Sequence, residues 1–141
     1  MESCRNIYLL ERSKEKETMQ NIIDQIIALT TKVNTLTADL NKAQTAVVKL
    51  NLAKLTAETV VETKTATLYA EGKVEGSNET ARKANLANLL AVEIKAVADT
   101  EIALITAKSK ATVTENNLRA VRDNINVYMA ILKVQSGVSE G

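Results

Sequence analysis

One repeat limits what this chain can fold into. From Ile22 a heptad runs in two interleaved series. The first is Ile22, Leu29, Leu36, Ala43, Leu50 and Ala57; the second is Ile26, Val33, Leu40, Val47, Lys54 and Val61. Eleven of the twelve positions are apolar, and only Lys54 breaks the pattern. Apolar residues recurring every ~3.5 positions keep one seam of a helix facing a partner, so this stretch specifies a coiled-coil helix. No Gly or Pro interrupts the chain between Met19 and Ala70. A helix over about 19–70 is therefore predicted, roughly 75 Å long at ~1.5 Å per residue.

A second periodic stretch covers about 79–134. Leu90, Val97, Leu104, Ala111, Leu118, Ile125 and Leu132 are seven apart and all apolar. The companion series Leu86, Glu93, Thr100, Ala107, Thr114, Val121 and Tyr128 is poorer. Around Ile94, Ala98, Ile102 and Ile105 the stripe drifts to the opposite flank, which suggests more than one neighbour or a locally changed supercoil. Between the two stretches lies a connector over 71–78. Gly72 stands where a C′ residue would end the first helix, and Ser77 or Asn78 can N-cap the second. Ala81, three residues after Asn78, leaves the capping box incomplete. So short a connector favours antiparallel neighbours. The expected fold is all-α, an antiparallel αα-hairpin with coiled-coil seams. Residues 135–141 hold two Gly and no pattern and are expected to fray.

Residues 1–18 read differently, with eight charges, four of each sign, around the short apolar patch Ile7-Tyr8-Leu9-Leu10. Two readings stand. Lys14-Glu15, written AAG GAG, would be a ribosome-binding sequence ahead of Met19, which makes Met19 the natural start. Alternatively the segment is a short amphipathic leader helix packing on the body.

The seams do not account for all the apolar residues. Ile23, Ile27, Val48, Leu52, Leu55, Val60, Leu89, Val92, Ile102, Ile105, Val127 and Ile131 lie off them and need cover. A lone Ala-rich seam returns little against the ~1–2 kcal/mol per residue that ordering a backbone costs. A homo-oligomeric bundle of at least four helices is therefore expected. Its seam would comprise Ile22, Ile26, Leu29, Val33, Leu36, Leu40, Val47, Leu50, Leu90, Val97, Leu104, Leu118, Ile125 and Leu132.

Composition excludes several chemistries. The 141 residues include no His, Trp, Phe or Pro and a single Cys, Cys4. A His/Cys zinc site, a Cys–His nucleophile and a Ser-His-Asp triad cannot be built from such a chain. No acidic cluster has metal-ligand spacing and no Gly-rich phosphate loop occurs. No catalytic residue, metal or cofactor is expected. A net charge of +1 argues against nucleic-acid binding, and no apolar run is long enough to span a membrane. Asp24, Asp39, Glu93 and Glu101 read as a solvated face, with Glu101 close enough to Leu104 for partial burial. Tyr128 reads as core, and Arg119, Arg122 and Asp123 as an intrahelical pairing.

The connector carries a resemblance. Leu68-Tyr69-x-x-Gly72-Lys73-Val74-x-Gly76-x-Asn78-x-x-x-Arg82-x-Ala84 resembles a motif of a family of small helical proteins encoded by phages and prophages of Gram-positive bacteria. The resemblance covers about residues 25–130, although the second helix here is richer in Thr, Asn and Ile than is usual in that family. It implies a phage origin and action in the cytoplasm of the infected host, and brings no activity with it. The connector itself has two readings. In one, Gly72 and Gly76 adopt positive φ, Asn78 caps, and Arg82 bonds carbonyls at the first helix's end. In the other, Tyr69, Lys73, Asn78, Arg82 and Lys83 bind an anionic ligand at the second helix's N-terminus.

Function follows these alternatives. The leading expectation is a non-enzymatic, phage-encoded interaction protein that binds a host or phage protein through helical surface. A second is an anti-defence sponge that holds a nucleotide immune signal at the connector or at subunit junctions. A third is a virion coiled coil. A single-strand DNA accessory factor is disfavoured by the scarcity of aromatic residues and the near-neutral charge.

Overall fold

The computed structural model describes residues 2–137. It is all-helical: α1 spans Glu2–Ala70, α2 Glu79–Leu89 and α3 Ala91–Gln135. No strand occurs among the described residues, and no helix among them is long and apolar enough to cross a membrane.

Two boundaries differ from those expected. α1 begins at Glu2 instead of near Met19, and the side chains from Cys4 to Thr18 are all exposed. The segment is helical from Glu2 and runs without a break into the body of α1. Its Glu, Lys, Arg and Leu residues are strong helix formers, which favours helix even without packing. The second stretch is broken at Leu90, whose ψ is 18° against about −42° in a regular helix. The hydrogen-bond ladder survives the break: Leu90 N–H donates to Leu86 O at 2.9 Å and Ile94 N–H to Leu90 O at 2.8 Å. No Gly or Pro causes the kink. It coincides with the most deeply buried side chain among the described residues, Leu90 at 2% exposure.

The chain divides into two compact units, one of Met1–Leu40 with Val113–Gly141 and one of Asn41–Thr112. In the first, Ile22, Leu118 and Val121 are buried; in the second, Ala43, Leu90 and Leu104 are. All twelve α1 positions of the heptad are buried or half-buried, Lys54 included, and so are all fourteen positions of the two later series. The flank formed by Ile94, Ala98, Ile102 and Ile105 is exposed.

The two charged interruptions of the seams have partners on the other helical stretch. Lys54 lies 3.8 Å from both Glu58 and Glu101. Lys64 donates to Glu93. Glu101 is exposed, not partly buried. The many threonines are accommodated by donating to the carbonyl one turn back, as Thr37 does to Val33, Thr65 to Val61 and Thr100 to Ala96. This satisfies a hydroxyl that would otherwise compete with the helix. At the C-terminus Ser136 N–H bonds Leu132 O and Gly137 N–H bonds Val134 O, with Gly137 at φ +70. Residues 135–137 carry these helix-end hydrogen bonds; the rest of the expected tail, 138–141, lies outside the described residues.

Candidate functional site: the connector and the outer helix faces

The connector is built from local turn chemistry. At the end of α1, Lys73 N–H donates to Leu68 O at 3.0 Å and Gly72 N–H to Tyr69 O at 3.1 Å. With Gly72 at φ +68, this is a Schellman ending, in which a residue in the left-handed region turns the chain away while two orphan carbonyls are satisfied. Asn78 N-caps α2, its Oδ1 accepting from Ala81 N–H at 2.8 Å. Arg82 N–H bonds Asn78 O at 3.0 Å. Gly76, at φ +149, lies so close to this first turn that a Cβ there would sit 2.6 Å from Arg82 N.

The five residues considered for anion binding lie on or beside this loop, and four of them have partners there. Lys73 Nζ is 2.7 Å from Glu71 and Lys83 Nζ is 3.2 Å from Glu79. Asn78 spends its side-chain oxygen on the cap. Arg82 Nη1 donates to Gly76 O at 3.4 Å. The Arg82 acceptor is thus a carbonyl of the connector itself, not one at the end of α1. Tyr69 is 50% exposed. One contributor was not foreseen: Asn85 Oδ1 accepts from Glu75 N–H at 2.9 Å, tying the loop to the second turn of α2. An Asn two turns beyond a cap is the hint of this in the sequence, and it is a weak one.

Elsewhere the charged groups pair locally. Arg119 meets Glu115 at 3.8 Å, not Asp123. Asp24 accepts from Gln20 at 3.0 Å. The hydrogen bond from Lys64, followed by one from its own backbone amide, holds the Glu93 carboxyl below the ordinary carboxylate range. The hydrogen bond to Asp99 holds the Lys95 ammonium above its usual value. Among the described residues no group of three His, Cys, Asp or Glu side chains is placed to hold a metal ion.

The largest chemical feature is apolar. Val48 is 59% exposed and Leu52 and Leu55 are each 60% exposed; their spacing puts them on one line of α1 away from the seam. Ile94, Ile102 and Ile105 are exposed on α3 in the same unit. An open groove of about 360 Å³ is lined by Glu58, Val61 and Glu62 of α1 and by Ile94, Val97, Ala98 and Glu101 of α3. Its floor is aliphatic and its rim carries three carboxylates. Compared with protein-family models, curated proteins and solved structures, the chain finds no match.

Proposed function

We propose that this chain is a non-enzymatic interaction protein. In this reading its helices pair antiparallel as an αα-hairpin with coiled-coil seams, hairpins associate into a bundle, and apolar helical surface binds a host or phage protein. The observation that carries the reading is an imbalance: among the described residues six apolar side chains are buried while twenty large ones are exposed. Apolar helical surface in that excess is what protein partners cover. Antiparallel pairing is supported by the ion pairs, since the partner number falls from Glu101 to Glu93 as the α1 number rises from Lys54 to Lys64. The resemblance at the connector supplies the setting, a phage-encoded protein acting in the host cytoplasm.

A nucleotide signal at the connector is less favoured. Lys73, Lys83 and Arg82 are already engaged by Glu71, Glu79 and the Gly76 carbonyl, so an anion would have to displace them. The test combines capture and thermal shift. A stoichiometric protein captured from infected-host lysate by the wild type, and lost with Ile102→Asp plus Ile105→Asp, supports the reading. A thermal shift with cyclic dinucleotides or ADP-ribose derivatives that Arg82→Ala abolishes would overturn it in favour of the sponge. Light scattering at micromolar concentration should give a dimer or larger species, and a folded monomer would refute the bundle.

A further inference from the structure

We propose that the groove between α1 and α3 of the second unit docks a cationic amphipathic helix, which lays an aliphatic stripe in it and sets two Lys or Arg side chains against Glu58 and Glu62. This rests on the protein-binding reading above and names the partner's chemistry. The groove lies wholly within the unit Asn41–Thr112. Val61 and Val97, both half-buried, form its floor. Its two sides differ. On α1, Glu58 and Glu62 stand one turn apart; on α3, Ile94 and Ala98 do. The α3 side continues through Ile102 and Ile105, which are 64% and 68% exposed. From Ile94 to Ile105 this line runs roughly 17 Å at ~1.5 Å per residue, about three turns of helix. No strand among the described residues offers an edge to extend. A third helix lying in the furrow between two is therefore the mode of recognition that such a surface suits.

Charge selects the occupant. Glu58, Glu62 and Glu101 rim the groove. Lys54, 3.8 Å from both Glu58 and Glu101, offsets one of these three charges and leaves a net two negative. Glu62 has no ion-pair partner among the described residues. It stands four residues from Glu58, a spacing at which like charges on a helix oppose each other. Neighbouring charges do not relieve the excess, because Lys64 pairs with Glu93 and Lys95 with Asp99. Two copies of this chain packed groove to groove would bring six carboxylates together with two ammonium groups, which opposes association. A phosphate-bearing ligand meets the same repulsion. A helix with two cations one turn apart on one flank instead neutralises the excess. Two of the three carboxylates belong to α1, so that flank faces α1 and the aliphatic stripe faces Ile94, Ala98 and Ile102 of α3.

Fluorescence anisotropy with two labelled peptides tests this on the full chain. Each peptide is built of Ala, Gln and Leu over about 18 residues, long enough for helix to form, with Leu at every third or fourth position. One carries two Lys four residues apart on one flank, and the other carries two Glu there. The Lys peptide should bind at least about tenfold more tightly than the Glu peptide. The difference should shrink between ~0.1 M and ~1 M salt, as the screening length falls from ~10 Å to ~3 Å. Glu58→Lys plus Glu62→Lys should reverse the preference. Ala98→Gln, which adds bulk at an exposed groove position, should weaken the Lys peptide by a similar factor, whereas Val127→Asp, exposed in the other unit, should not. If circular dichroism shows the charge reversal to be unfolded, Glu58→Gln plus Glu62→Gln takes its place and should abolish the preference. Equal binding of the two peptides, no binding of either, or a preference that survives the charge change would overturn this site and leave the protein-binding reading standing. A charge change that alters the oligomer size in light scattering would assign the groove to a second copy and overturn the proposal as well. The wider reading fails by a separate result, a wild type that captures no protein from the lysate.

Discussion

Gly76→Ala and Gly72→Ala perturb one loop in two different ways. At Gly72 φ is +68 and an added Cβ would meet nothing within 4 Å. Alanine there costs only the left-handed backbone, about 1–2 kcal/mol. At Gly76 φ is +149, and the Cβ would lie 2.6 Å from Arg82 N, 2.8 Å from Ala81 C and 3.0 Å from Ala81 Cβ. The first two are main-chain atoms of the opening turn of α2 and cannot swing aside. The loop must move, and with it the bonds from Ala81 and Arg82 to Asn78. Unfavourable φ costs about 1–3 kcal/mol, overpacking another ~1–3, and a weakened N-cap ~1. These overlap when the loop shifts as one piece, so the expected total is about 3 kcal/mol. Urea unfolding followed by far-ultraviolet circular dichroism measures it, at one protein concentration, because self-association would make apparent stability concentration-dependent. The wild type should be most stable, Gly72→Ala intermediate and Gly76→Ala least, with a gap of at least ~1 kcal/mol between the two variants. Asparagine separates the causes: it tolerates the left-handed region, so Gly72→Asn should recover most of the loss while Gly76→Asn recovers none. If Gly76→Ala unfolds together with Gly72→Ala, the close approach to α2 carries no energy and the reasoning is wrong.

Three further outcomes follow from the packing. Leu90→Ala and Leu118→Ala should each cost ~2–3 kcal/mol, the low end for buried leucine because so thin a core can close over the gap; losses under ~1 kcal/mol in urea would show that these sites are not core. Lys54→Met should be neutral or stabilising by up to ~1 kcal/mol, since its ion pairs at 3.8 Å are solvent-screened and the seam position favours an apolar side chain; a lower urea midpoint would contradict this. The Glu93 carboxyl is held below its unfolded value, so its stabilisation is present above the unfolded pKa, near the ordinary value of 4.5, and is lost as pH falls through the folded one; Glu93→Gln should flatten the acid limb of a melting-temperature profile below about pH 4.5, and an unchanged limb would remove the Lys64 pair from the account.

The features legible in the sequence were those set by local chemistry or by period. The Schellman ending at Gly72 and the cap at Asn78 need only residues a few positions away. The heptad positions need only their spacing, which is why even Lys54 and Glu93, marked as interruptions by polarity, lie on the covered side. Their partners, Glu101 and Lys64, depend on which residues face one another after folding. The same reason hides the acceptor of Arg82 and the reach of Asn85 to Glu75. The kink at Leu90 has no local cause at all; it accompanies the burial of one side chain.

The apolar drift through Ile94, Ala98, Ile102 and Ile105 belongs to neither kind, and it carries the most about function. A helix with one apolar line needs one neighbour. On α1 between Ala43 and Val61 there are two lines: the seam through Val47, Leu50 and Ala57, which is half-buried within the unit, and the line through Val48, Leu52 and Leu55, which is exposed. The groove lined by Val61, Ile94, Val97 and Ala98 adds aliphatic surface from α1 and α3 of that unit. Water in contact with that much aliphatic surface is unfavourable by roughly 25 cal/mol for each Å² left uncovered. The second line on α1 and the exposed flank of α3 are therefore the surfaces that the proposed partner or bundle would cover.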